Sequence, residues 1–361
     1  MINYKWTKSK EDLRSWDAFL KTNSRGHNLQ AISWLESYSI YNFDYDLLII
    51  TNQVNKIVGG VGAVIGGFNI FKSFVVPCGP IILEAYENSL DDIIKEVLKR
   101  AKFSKAFLCQ INLPILKHDC SFFFKYSLNR QEDNNVVFQA LKGNKFPVIS
   151  SVNGFRAVVL NQKSGINYDD VWKNFNTNTK RNINKAYNNN LKLKYATTNT
   201  EIEAAYKIIE ENAKSQNYAV RPWLDMKQML FSMLENQQCV IPCCFKDKQL
   251  KGVLILFEIG ERLTYISGGT LRESIDLKVG HFLHNEMIKY SIAKSYDFYD
   301  ISVGGTEGVT RFKTGFGGKH VEFIGVRYWV LNRVKFTIYN YFYPLLKKNK
   351  VFLSRLLKYF K

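Results

Sequence analysis

Residues 297–325 read Asp297-Phe298-Tyr299-Asp300-Ile301-Ser302-Val303-Gly304-Gly305-Thr306-Glu307-Gly308-Val309-Thr310-Arg311-Phe312-Lys313-Thr314-Gly315-Phe316-Gly317-Gly318-Lys319-His320-Val321-Glu322-Phe323-Ile324-Gly325. A strand pattern over Phe298–Val303 runs into a loop holding Gly304, Gly305 and Gly308. Arg311-Phe312-Lys313 then leads into Gly315-Phe316-Gly317-Gly318. Glycine lets a backbone take positive φ and approach a ligand closely. An arginine and a lysine beside such a loop can stabilise negative charge developing on an oxygen. A tight hairpin with solvated cations would carry the same residues, so the run alone leaves both readings open.

Upstream, the rhythm that ends in this run occurs twice. Apolar spacing predicts helices over residues 10–24 and 30–38, strands over 45–51, 57–65 and 73–76, a helix over 90–103 and a strand over 107–113. The second half repeats it. A strand is expected at 156–160, helices at 169–189, 201–216 and 223–234, and strands at 239–245, 252–259 and 262–267. A helix at 279–294 follows, then strands at 298–303 and 322–330. The order implies two copies of one mixed α/β unit, residues 1–150 and 151–330, followed by a tail over 331–361.

Composition sets the outer bounds. The chain has 361 residues, 46% hydrophobic and 23% charged, ordinary for a two-domain globular protein. A net charge of +18 favours polyanionic partners: nucleic acid, anionic lipid or phosphate-bearing substrates. Lys173, Lys180, Arg181, Lys185, Lys192 and Lys194 fall in a stretch with no acid, and nine Lys or Arg with no acid follow Glu322. Cys78, Cys109, Cys120, Cys239, Cys243 and Cys244 form no Cys-x-x-Cys and sit mainly in apolar runs, as buried residues of a reducing compartment do. The N-terminus has no signal-peptide core, and no apolar run reaches the ~20 residues of a membrane span. A cytoplasmic protein, peripheral at the inner face of the membrane, is expected. The tail interleaves aromatic and basic residues, and in Val351–Lys361 they separate onto two helical faces. That pattern suits an anionic membrane interface or docking on the first unit.

The Arg311-Phe312-Lys313-Thr314-Gly315-Phe316-Gly317-Gly318 run, with Glu322 and Gly325, resembles the C-terminal signature of the FemABX-like peptidyltransferases and the BioF2-like acetyltransferases of the GNAT superfamily. Thr179-Lys180-Arg181-Asn182-Ile183-Asn184-Lys185-Ala186, with Trp172 and Phe175, resembles the basic helix that opens the family's second domain. Val76-Pro77-Cys78-Gly79-Pro80 is similar to its Arg-Gly-Pro turn, with Cys78 in place of arginine, and Gln30 to Trp34 resembles its early Gln…Trp helix. The resemblance implies two tandem GNAT-like domains, each a mixed, mostly antiparallel sheet flanked by helices. It also implies an N-acyltransferase joining an activated acyl group to an amine. On that basis Lys313 is the catalytic residue stabilising the tetrahedral oxyanion. Arg311 and Phe312, with Gly315, Phe316 and Gly280, bind the donor, and Arg181 with Lys180 and Lys185 binds acceptor phosphates. The chain departs from the family at Asn112-Leu113-Pro114, where tRNA-dependent members carry Asp-Pro, and it has no coiled-coil arm.

Asp300 and Glu307 flank the motif and are the candidate general bases. His281 and His284 lie three apart with Glu286 nearby, but no third ligand set is visible and no metal is expected. Gly60 to Gly66 has the wrong spacing for a dinucleotide loop, and there is no P-loop. No cofactor is expected beyond the donor substrate, aminoacyl-tRNA or acyl-CoA. The expected activity is transfer of an aminoacyl or acyl group to an amine of a cell-envelope glycan precursor such as a peptidoglycan precursor, with aminoacyl-tRNA the favoured donor. Expected partners are that precursor, tRNA and an anionic membrane surface. An acyl-CoA-dependent amino-sugar N-acyltransferase is the alternative, and a non-catalytic tRNA- or membrane-binding module a remoter one.

Overall fold

The computed structural model describes residues 2–68, 70–114, 154–160, 165–271, 275–303, 305–323 and 326–348. Cys120, the unit boundary near residue 150, Gly304, Gly325 and the expected helix at 351–361 lie outside them. The first half runs β1 (Asn3–Thr7), α1 (Lys10–Thr22), α2 (Ile32–Glu36), β2 (Asp44–Thr51), β3 (Ile57–Phe68), β4 (Phe71–Val76), β5 (Ile81–Ile82), α3 (Leu90–Phe103) and β6 (Leu108–Asn112). The second half begins with β7 (Gly154–Val159), α4 (Tyr168–Lys173), α5 (Thr177–Asn188), β8 (Lys192–Tyr195), α6 (Asn199–Ser215) and α7 (Trp223–Glu235). It continues through β9 (Cys239–Val240), β10 (Pro242–Lys246), β11 (Gln249–Glu258), β12 (Arg262–Thr270), α8 (Val279–Ala293), β13 (Phe298–Asp300), α9 (Glu307–Thr314) and β14 (Lys319–Glu322). β15 (Val326–Val330) and α10 (Arg333–Lys348) close the described chain.

The strands form two mixed sheets, as the repeat implied. The first has the order β1-β2-β3-β4-β6-β15 with β5 on β3, and the second β14-β7-β13-β12-β11-β10-β8 with β9 on β11. Each sheet is antiparallel but for one pair, β4 with β6 and β12 with β13. In both cases a helix, α3 or α8, bridges the parallel strands, because parallel neighbours need a crossover. α3 shows why these segments are helical: Ile93, Val97 and Ala101 recur every four residues and are fully buried, while Lys95, Lys99 and Lys102 face water. Burying Ile93 and Val97 stabilises by about 1.5–3 kcal/mol each. One core joins the halves, packing Trp16, Leu20, Leu35 and Leu47 with Tyr206, Leu230 and Phe257.

Four expectations need correction. The helix expected over 169–189 is two, because Asn176 accepts from the Thr179 amide (2.7 Å) to cap a new start and Phe175 turns into the core. The strand expected over 322–330 is split between sheets: β14 pairs with β7, while β15 pairs with β6 of the first sheet. A unit ending at residue 330 therefore gives its last strand to the other sheet. β1 and β8, short and largely exposed, carry too few apolar residues to be legible as strands. Finally, Arg311, Phe312 and Lys313 lie on a helix, α9, not in a loop or hairpin. Among the described residues no helix is long and apolar enough to cross a membrane.

Candidate active site

β12 and β13 stay paired only from Arg262 opposite Phe298 to Thr264 opposite Asp300. β12 then continues to Thr270 without that neighbour, so the strands part at Tyr265. The opening is walled by the start of α8 and by α9, and it holds a cavity of about 470 Å³. Tyr265, Gly280, His281, His284, Phe312 and Lys313 line it.

α9 owes its place to its ends. Thr306 caps the first turn, its hydroxyl accepting from the Val309 amide at 3.5 Å. At the other end a Cβ on Gly315 would lie 2.2 Å from the Thr179 hydroxyl of α5, so only glycine lets the two helices approach this closely. The Asn176 amide donates to the Gly315 carbonyl (2.9 Å), and Phe316, fully buried, meets Phe175 edge-on. Gly317, at φ +71°, abuts the Asn174 carbonyl. The Gly-Phe-Gly-Gly run is thus a joint between α9 and the α4–α5 junction, and it sets Lys313 against the parted strands.

Lys313 is only 7% exposed. Its ammonium donates to the Ser302 hydroxyl (2.8 Å) and sits 5.6 Å from the Tyr265 ring centroid. Burial lowers its pKa, and the nearby Asp300 carboxylate opposes that fall. Asp300 is itself buried, accepting from the Ser302 amide at 2.8 Å, and burial pushes its carboxyl up to about 6 against the pull of Arg262. Ser302 thus ties amine and carboxylate together through its hydroxyl and its amide. His284 Nδ1 lies 2.5 Å from the Tyr299 hydroxyl, and burial beside Lys313 lowers its pKa to about 3, leaving a neutral imidazole. His281, 3.2 Å from the Asn182 amide, falls to about 4 through burial, with Lys278 adding to the fall.

α8 opens at the cavity without a side-chain cap, Lys278 taking a left-handed conformation. Its first amides have no partner within the helix, and they carry the positive end of its dipole. A Cβ on Gly280 would meet only the Phe312 ring, at 3.5 Å, so that turn is open.

The expected site residues therefore separate. Lys313, Phe312 and Gly280 come together on the cavity wall. Gly315 and Phe316 are spent on packing, and Arg311 pairs with Glu307 in solvent (2.8 Å), so none of these lines the cavity. The same ion pair takes Glu307 away from the reacting centre, and Asp300 is buried behind Lys313. Arg181 bonds Asn178 (2.7 Å) and Lys180 the Lys173 carbonyl (3.1 Å), while Lys185 is exposed. All three stand on α5, whose buried side packs on α8 next to the cavity. Tyr265, His284, Tyr299 and Ser302 were not anticipated as site residues. Only the His281–His284 spacing, read for a metal, drew attention to that helix face.

A model described as "Acetyltransferase (GNAT) domain" matches residues 173–314, the segment that holds the parted strands, α8 and α9. A second model, "FemAB family", matches residues 12–223, more than half of the chain. The chain belongs to the FemAB family and is an acyltransferase. No curated protein matches the sequence. Among solved structures, one of FemX is similar over 93% of this chain and 100% of its own, at 11% identity and a TM-score of 0.76. The C-terminal domain of a putative lysylphosphatidylglycerol synthetase from Agrobacterium fabrum is similar at 10% identity, covering 91% and 95%, with a TM-score of 0.53. L-PGS from Bacillus licheniformis is similar at 9% identity, covering 97% of each, with a TM-score of 0.53. At these identities the likeness concerns the fold.

Proposed function

We propose that this protein transfers an aminoacyl group from aminoacyl-tRNA to an amine of a peptidoglycan-type precursor. The observation that carries the reading is the Lys313 ammonium, buried at the cavity between the parted strands. The acceptor nitrogen attacks the donor's ester carbonyl carbon, forming the C–N bond. The carbonyl oxygen takes up negative charge beside Lys313. The C–O bond to the tRNA ribose then breaks, and the proton lost by the amine ends on that ribose oxygen, by way of solvent or substrate. The exposed carboxylate on the cavity wall, Asp276, is paired with Lys278 at 2.5 Å and held below the usual carboxylate range, so an amine that arrives neutral suits the site. Ser302 and Asp300 hold the lysine in place and charged. Phosphates of the acceptor suit the cations of α5, where an arginine fork matches phosphate oxygens in a bidentate way. The likeness to FemX supports a cell-wall precursor, and the lysylphosphatidylglycerol synthetases supply a precedent by name for a lipid-linked acceptor.

A second reading has its own observation. The uncapped, open first turn of α8 suits a pyrophosphate, which favours acyl-CoA as donor and an amino sugar as acceptor. Thermal stabilisation by the two donors decides between them. A ligand present at 100 times its Kd stabilises the folded state by about 2.7 kcal/mol. A shift with a non-hydrolysable aminoacyl-tRNA, weakened steeply by salt as counterion release requires, supports the first reading. A shift with acyl-CoA alone replaces it by the second.

A further inference from the structure

We infer that one end of the first sheet is a docking surface for an anionic lipid bilayer. The inference assigns a partner to the acyltransferase proposed above, but it stands on residues remote from the cavity. α10 is apolar on two opposite sides. Phe336 and Tyr339 face inward, packing with Phe107, Leu108 and Tyr328, and the Tyr339 ring centroid lies 5.1 Å from that of Phe107. On the other side Val334 and Ile338, 71% and 43% exposed, share a helical face with the exposed Tyr341. An apolar helix face is ordinarily turned to a cover, and on α10 only one of the two has it within the described residues.

The same end of the sheet gathers further exposed apolar side chains. β4 begins there after Ile70, 60% exposed, and α3 ends there at Phe103, 77% exposed, just before β6. The strand ends are tied together: the Phe107 amide donates to the Lys72 carbonyl, and the Leu331 and Asn332 amides donate to the Phe107 carbonyl. Lys72, Lys102, Lys105, Arg333 and Lys335, all exposed, surround this apolar group. The nearby acid on β2, Asp44, is neutralised by Lys8 at 2.7 Å. From Arg327 to the end of the chain there are nine basic residues and no acid. A basic rim around exposed aliphatic and aromatic side chains complements a surface that is negative at its headgroups and apolar beneath, and near such a membrane each lysine or arginine is drawn in. A second copy of the chain would carry the same positive charge and be repelled.

The test is co-sedimentation of the full chain with vesicles of phosphatidylcholine alone or with about 30% phosphatidylglycerol, a strongly anionic surface. Binding is expected to the anionic vesicles, to weaken with salt, and to fall at least ten-fold in I338E and in F103E. Both positions are exposed, so the melting temperature should hold, as should turnover on a water-soluble acceptor. Equal binding to both vesicle types, or variants that bind like the parent, would overturn the inference. So would self-association abolished by I338E, which would make the cover a second copy, or a loss of tRNA binding with vesicle binding intact. Failure of turnover with vesicle binding preserved would count against the proposed reaction and leave the surface standing.

Discussion

Replacing Lys313 by methionine removes the charge while keeping the length of the side chain, so stability and catalysis should respond in opposite senses. The folded-state pKa of Lys313 lies below its ordinary value because the amine is buried. The unfolded chain therefore holds this proton to higher pH, and the ionised lysine opposes folding at neutral pH. Its compensations include a hydrogen bond to Ser302 and the Tyr265 face at 5.6 Å, together about 1–3 kcal/mol, beside the attraction of the Asp300 carboxylate. Methionine removes both the penalty and these contacts, so the melting temperature should be unchanged or slightly raised. The rate should behave otherwise. One lost oxyanion contact costs about 10²–10³ in kcat, or roughly 2.7–4 kcal/mol. Single-turnover transfer from a labelled donor, measured beside thermal melts of K313M and K313R, reads both. Parent turnover should also fall at alkaline pH earlier than an ordinary lysine allows, and arginine, if it supports activity, should remove that limb. Turnover in K313M within about three-fold of the parent, far below the loss of an oxyanion contact, would refute the role.

Other outcomes follow from the same geometry. In D300N the carboxylate that holds up the Lys313 pKa is gone, so the alkaline limb should move to lower pH, whereas loss of activity at every pH would mark Asp300 as the base. In acid, His27 and His284, near 3, and His281, near 4, bind fewer protons folded than unfolded, while Asp17 and Asp300, near 6, bind more. Between pH 6 and 5, above most of the range in which Asp12 and Glu201, near 2 when folded, add to the loss, three sites oppose two, so urea-measured stability should fall by about 1.4 kcal/mol per pH unit, and a rise on acidification would contradict these assignments. G315A should destabilise by about 1–3 kcal/mol through its clash with Thr179, and T179A should recover much of that in a double-mutant cycle. G280A, whose methyl meets only the Phe312 ring, should leave the melting temperature alone and raise the donor KM.

How much of this the chain discloses in advance depends on the element. The α3 pattern is readable because its buried positions recur every four residues with lysines between them. The two-unit order is readable because each bridging helix follows a run of strong strands. The parting of β12 from β13 is not, because it depends on where a three-residue strand ends, and β13 is too short to carry a period. The motif gave Lys313 its address but the wrong local structure. Gly308 and the flanking glycines read as a loop, whereas Thr306 caps a helix and Gly315 ends it against a partner more than 130 residues away in sequence. His284 and Tyr299 face each other only once α8 lies beneath β13, and no local pattern encodes that.

The two units also differ at the joint where the candidate site lies. In the first sheet the parallel pair runs from Ser73 opposite Leu108 to Val76 opposite Ile111, and the Gly79 amide then donates to the Asn112 carbonyl, so no gap opens. Gln30 holds that turn shut, its amide donating to the carbonyls of Gly62 (3.1 Å) and Pro77 (2.5 Å) and accepting from the Gly62 amide (2.6 Å). Cys78, at φ +50° and fully buried, has its thiol pushed up to about 12 and is no nucleophile. The Gln30 and Pro77–Pro80 segments, which resemble family motifs separately, thus act on one joint. In the second sheet the corresponding joint is left open, and a lysine that costs stability stands in it. Closed and well bonded in one copy, open and strained by a buried charge in the other: that asymmetry is what a duplicated scaffold would show if one unit braces and the other catalyses.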